Sequence, residues 1–144
     1  MIVDLKQILY IAEEKKCAVG AFNTPNLECI NAVIEAAEKL NVPVIISHAQ
    51  LHEEVSPLDK IGPVMVQAAK NANVPVCVHL DHCEDLDYMK QALELGFTGV
   101  MYDGSVLPYE ENVANTKKAV ELAKKFGQDK SNGFVNAILA KFAD

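Results

Sequence analysis

The feature that most constrains the fold is a repeated tetrapeptide. Asn41-Val42-Pro43-Val44 returns as Asn73-Val74-Pro75-Val76, at an interval that suits one short strand plus the helix that carries the chain back to begin the next. The hydrophobic pattern around the repeat alternates in the same way. Apolar spacings of three and four, such as Ile30, Val33, Ile34 and Ala37, predict helices over 5–15, 27–40, 59–72, 85–95 and 110–126. Between them lie short runs at 17–22, 43–47, 75–80 and 98–102 that are apolar throughout, as strands covered by helices on both faces should be. Such alternation predicts parallel βα units. It suits a doubly wound sheet or a closed barrel equally well. The phosphate loops G-x-G-x-x-G and G-x-x-x-x-G-K-[ST] are absent, which weakens a nucleotide-binding reading.

Composition narrows the function classes. With 144 residues, half of them hydrophobic, the chain can bury a real core and reads as one soluble domain. No apolar run approaches the roughly 20 residues a membrane span requires, and the N-terminus lacks the features of a signal peptide. A cytoplasmic location is therefore expected. The four cysteines, Cys17, Cys29, Cys77 and Cys83, have no paired C-x-x-C spacing and read as reduced thiols. A net charge of −7 argues against nucleic acid and anionic membranes as partners. All 13 basic residues are Lys, so the chain has no guanidinium fork to clamp a phosphate or carboxylate.

Each predicted strand ends in polar residues. The ends read Ala21-Phe22-Asn23, Ser47-His48-Ala49-Gln50, Leu80-Asp81-His82 and Met101-Tyr102-Asp103-Gly104-Ser105. In barrel enzymes the active site is assembled from the carboxyl ends of successive strands, and four polar ends together suggest a shared rim. The competing reading makes them helix caps and turns, with Asp81 capping the next helix. Val76-Cys77-Val78-His79-Leu80-Asp81-His82 is the most pointed of these runs, because a carboxylate and imidazoles emerge where a buried strand reaches the surface. His79 falls on the same side of the strand as Asp81 and reads as a packed or supporting histidine. His48 and His52 read as solvated loop residues, and Cys83 has no assigned role. A Schiff-base mechanism would need a desolvated Lys at a strand end; every Lys falls on a predicted helix or loop.

These motifs resemble the class II, metal-dependent fructose-bisphosphate and tagatose-bisphosphate aldolases. The resemblance rests on Ala18-Val19-Gly20-Ala21-Phe22-Asn23, Val78-His79-Leu80-Asp81-His82, Val100-Met101-Tyr102-Asp103-Gly104-Ser105 and Pro108-Tyr109-Glu110-Glu111-Asn112-Val113, and runs from about Ile2 to Gly127. It implies a partial TIM barrel over 1–127: four parallel βα units preceded by an N-terminal helix. It also implies retro-aldol cleavage of a phosphorylated sugar to dihydroxyacetone phosphate and glyceraldehyde 3-phosphate. Carried over by position, His82 becomes a zinc ligand, Asp81 the catalytic acid/base, Asp103 a ligand at a second metal position and Asn23 a substrate contact. Zinc chemistry agrees with such a set, since a divalent metal polarises the ketone and a nearby carboxylate moves the proton.

The sequence also departs from the family. Ala49 stands where the family places a Ser or Thr against substrate, and Ser47 is one strand repeat earlier. Four strands are half of the family barrel, so two further zinc histidines and the phosphate-binding loops are missing. Residues 128–144 leave the family pattern. They read as an extra C-terminal helix with Phe134, Val135, Ile138, Leu139 and Phe142 on one face, faintly similar to the last helix of NusB-type antitermination factors. The change predicts a truncated or fused product. Two functional readings stand: an aldolase, with the open sheet edges pointing to a homo-oligomer, or an inactive half-barrel acting as an assembly or binding module.

Overall fold

The computed structural model describes residues 1–126. The expected tail helix over 128–144 lies outside the described residues. The elements follow in the order α1 (Leu5–Lys15), β1 (Ala21–Asn23), α2 (Leu27–Leu40), β2 (Val44–Ala49), α3 (Leu58–Asn71), β3 (Val76–Cys83), α4 (Leu86–Leu95), β4 (Gly99–Tyr102) and α5 (Tyr109–Phe126), with a short 3₁₀ turn over Gln50–His52. The strands form one parallel sheet in the order β1-β2-β3-β4. This is an α/β fold in which each strand is followed by a helix that returns the chain to the same starting end.

Local chemistry sets the helix boundaries. Asp4 and Gln7 form a reciprocal capping box at the start of α1, each side chain accepting the other's backbone N–H. Asn26 caps α2 through Cys29 N–H, and Asp85 caps α4 through the N–H groups of Asp87 and Tyr88. Pro57 offers α3 no cap, and the carboxylate of Glu53 takes its place by accepting from Leu58 N–H at 2.9 Å. Helix α4 ends at Gly96, whose φ of 101° is the left-handed conformation that favours glycine.

Period-two alternation gives the sheet two distinct faces. The outer face presents Val44 and Ile46 from β2 and Val76, Val78 and Leu80 from β3, all in the main apolar core with residues of α2, α3, α4 and α5. The inner face presents Ile45 and Cys77, which pack with Ile8, Leu5 and Leu9 of α1. The N-terminal segment is stitched beneath the strands: Val3 N–H donates to Val76 O and Val76 N–H to Met1 O. Thr98 Oγ1 ties this stitch to the sheet, donating to Val3 O at 2.8 Å and accepting from Val78 N–H at 3.1 Å. Helix α1 therefore closes the inner face at the amino ends of the strands.

The first and third strands differ from the sequence expectation. The run at 17–22 predicts a strand buried on both faces, whereas β1 comprises only Ala21–Asn23, all three exposed. Among the described residues it is an edge strand with one neighbour and no cover on its far side, and Phe22 remains 49% exposed. Strand β3 extends beyond 75–80 to Cys83, and its pairing with β4 shifts register between Leu80 and Cys83. That irregularity falls on Asp81 and His82, and bulges of this kind re-aim side chains at functional rims.

Candidate active site

Register brings the inward residues into rows. Asn23 pairs with Ser47, Ser47 with His79, and His79 with Gly99; one row nearer the carboxyl ends, Ala49 pairs with Asp81. Above the floor made by Leu5, Ala21 and Ile45 lies a cleft of about 130 Å³ whose polar lining is Asn23, Ser47, His79 and Asp81. Gly99 leaves space in this row: a Cβ there would lie 3.1 Å from the His79 ring and 3.2 Å from Cys77 Sγ. His79 Nδ1 lies 3.4 Å from Ser47 Oγ. Burial lowers the His79 pKa, with the Asp81 carboxylate opposing the shift, so the ring is held neutral beside that carboxylate.

Beside the cleft, the bulge turns His82 outward. Its backbone is left-handed, with φ of 46°, a conformation costly for a residue with a Cβ. The ring lies against the end of β4, where His82 Nδ1 is 2.7 Å from Asp103 Oδ2. The hydrogen bond to Asp103, followed by the charge of Asp81, raises the His82 pKa. Reciprocally, the hydrogen bonds from His82 and Ser105 push Asp103 down to about 2. With Nδ1–H donated to Asp103, the neutral ring presents Nε2 outward; His82 is 56% exposed. Asp103 also accepts from Ser105 N–H at 3.0 Å, which fixes it at the turn after β4.

The sequence-predicted residues thus fall into two neighbouring sets. Asn23 and Asp81 line one cleft, while His82 and Asp103 meet at its edge. Asp81 does not cap α4; Asp85 does, which leaves the Asp81 carboxylate to the cleft. Ala49 is buried, and β2 meets the cleft through Ser47, because the strand places residue 47 in the row shared with Asn23 and His79. The reading of His48 and His52 as solvated needs correction. His48 is no solvated loop residue: it is fully buried on the outer face, since it alternates with Ser47. His52 is partly buried, with Nδ1 enclosed and lacking a hydrogen-bond partner. The thiols of Cys77 and Cys83 are buried and are pushed up to about 12 and about 11, chiefly by desolvation, so both remain protonated at neutral pH.

Four parallel βα units with polar groups gathered at their carboxyl ends define the class: part of a βα barrel, with the polar rim at the end where such barrels carry their sites. Known proteins agree. The family model "Fructose-bisphosphate aldolase class-II" matches residues 3–129, and the chain belongs to that family. A fructose-bisphosphate aldolase of Staphylococcus aureus is 39% identical over 129 residues, covering 88% of this chain and 45% of the relative. A sulfofructosephosphate aldolase of Alkalicoccus urumqiensis is 38% identical over 122 residues, covering 85% and 42%. Among solved structures, the YdjI aldolase of Escherichia coli K12 superposes with a TM-score of 0.81 at 33% identity, covering 87% of this chain and 49% of that one. The chain spans about half the length of the relatives it matches.

Proposed function

We propose that this chain carries one half of a zinc-dependent ketose-bisphosphate aldolase site, which cleaves fructose 1,6-bisphosphate to dihydroxyacetone phosphate and glyceraldehyde 3-phosphate. The observation that carries the reading is the pairing of two sets at one rim, the Asn23–Asp81 cleft and the His82–Asp103 contact. In this reading Asp81 is the acid/base that takes the proton from the hydroxyl at the cleaved bond, a role suited to a carboxylate half-sheltered on a strand end. Asn23 faces the substrate from β1, and Ser47 adds a hydroxyl from β2. His79 supports Asp81 from below.

His82 is proposed as a zinc ligand through Nε2. The donor chemistry fits, because a neutral imidazole oriented by a carboxylate on its other nitrogen is a common zinc-binding arrangement. Asp103 supplies that carboxylate and is proposed for the second metal position. When bound, zinc would polarise the ketone of the substrate. The fit is partial: among the described residues, no group of three or more His, Cys, Asp or Glu is placed to hold an ion. The remaining ligands would come from four further strands. Among the described residues β1 and β4 are the two edge strands of the sheet, and pairing between copies through these edges is the proposed route to closure. Zinc-dependent release of triose phosphate by the purified protein, lost in Asp81→Ala, is the expected result. Absence of turnover with added zinc at high protein concentration would refute it.

A second reading takes the chain as a non-catalytic half-barrel serving as an assembly or binding module. That reading predicts weak zinc uptake in competition with a chelator. Tight stoichiometric uptake would count against it.

A further inference from the structure

We infer that the loop after β2 is a clamp on the segment that presents His82, with Gln50, Glu53 and Tyr88 as positioning residues. The inference rests on the reading of His82 as a metal ligand. A non-glycine residue at φ of 46° persists only where its surroundings hold it, so the chain on either side of His82 should be fixed. Toward β4 it is fixed by Asp103 N–H donating to Cys83 O at 2.7 Å. On the other side the hold comes from the neighbouring loop. Gln50 Oε1 accepts from both Glu84 N–H at 2.8 Å and Asp85 N–H at 3.2 Å, the two amides that follow Cys83.

One turn later the same loop takes a second grip. Tyr88 of α4 donates to Glu53 Oε2 at 2.6 Å, and that oxygen also accepts from Leu58 N–H at the start of α3. His48 Nε2 lies 2.9 Å from the Tyr88 hydroxyl. Since that hydroxyl has one hydrogen and spends it on the carboxylate, His48 must donate from Nε2. The chain His48 to Tyr88 to Glu53 therefore runs from a fully buried strand residue to the start of the next helix. Burial and the Glu53 carboxylate push the Tyr88 hydroxyl far above its usual range, so it remains a donor at any working pH. Gln50 thus holds the two residues between β3 and α4, and Glu53, through Tyr88, holds the first turn of α4.

The test compares Gln50→Leu, which removes the acceptor, with Gln50→Glu, which keeps an oxygen in its place. Two quantities are read in the full chain: amide exchange at Glu84 and Asp85 by NMR, and zinc affinity by chelator competition. In Gln50→Leu both amides should exchange faster and zinc affinity should fall about tenfold, the effect typical of losing a supporting contact to a ligand. Gln50→Glu should restore both. Unchanged exchange in Gln50→Leu would overturn the inference, as would a Gln50→Glu variant that behaves like Gln50→Leu. Should Gln50→Leu not fold, Tyr88→Phe replaces it, with faster exchange at Glu84 and Asp85 supporting the clamp and wild-type exchange opposing it. If His82→Ala binds zinc as wild type does, the metal reading fails by itself, and the exchange data alone decide the clamp.

Discussion

The same strands present two unlike faces. On the outer face Ile46, Val78 and Leu80 are wholly buried under α2, α3 and α4, and the polar groups there are locked to one another, as His48, Tyr88 and Glu53 are. On the inner face only the amino-terminal rows are covered, by α1, and the rows above them turn polar with Asn23, Ser47, His79 and Asp81. The outer layer is complete with four units because each helix packs on its own strands and its neighbours. The inner layer would be completed only by strands on the far side of a barrel. Apolar burial is thus concentrated on one face and the polar groups of the cleft on the other, which explains how half a barrel can keep the barrel's local shape, with a TM-score of 0.81 to a solved relative.

The contrast is most sharply tested at Leu80, which is 0% exposed. Leu80→Ala should cost about 2 to 5 kcal/mol by urea unfolding, the range for truncating a buried leucine. A loss under about 1 kcal/mol would mean that the outer core carries less of the stability than its burial implies.

The next effect is pH-dependent. Burial lowers the His48 pKa below 6.5, so just under that value the unfolded chain binds more protons than the folded one. Stability contributed by the neutral ring is full above 6.5 and is lost as the pH falls. The urea midpoint should drop on acidification, and the drop should shrink in His48→Asn. His79 is shifted in the same direction by its own burial, so a residual drop in that variant belongs to the inner face.

At the rim the sign reverses. The Asp103 contact raises the His82 pKa, so its contribution is full below 6.5 and fades as the pH rises through the folded value. An NMR titration should place the His82 midpoint above 6.5, and Asp103→Asn should return it toward 6.5. A midpoint that ignores this substitution would break the proposed pair. The smallest effect is expected at Ser47. Its contact with His79 is long, at 3.4 Å, and Ser47→Ala should change stability by no more than about 1 kcal/mol, far less than Leu80→Ala.

Much of the fold was legible because burial follows simple periods. Helices α1 and α2 begin and end where apolar spacing and caps place them, α4 and α5 differ from expectation by one residue at their start, and α3 by one residue at each end. The strand ends were harder. The length of β1 depends on having a neighbour on one side only, and the bulge at Asp81 and His82 depends on the pairing of β3 with β4; neither is a local property. The four residues singled out in the sequence do gather at one rim. Alternation already placed Ser47 on the same side of β2 as Ala49; what was missed was the burial of His48, because the expected strand stopped at residue 47 and extending it to Ala49 puts His48 on the outer face. The clamp was invisible for a different reason, since Gln50, Glu53 and Tyr88 meet only when two loops and a helix are packed.

The proposed metal-binding corner of the inner-face rim is built on His82. Zinc affinity measured by chelator competition, in wild type and in His82→Ala, tests it most directly, because an exposed side chain can be removed with little effect on the core. Measurable zinc binding by the wild type should be lost in His82→Ala, while at alkaline pH, where the His82–Asp103 contact contributes least, the urea midpoint should stay close to that of the wild type. Equal zinc affinity in the two proteins would contradict it.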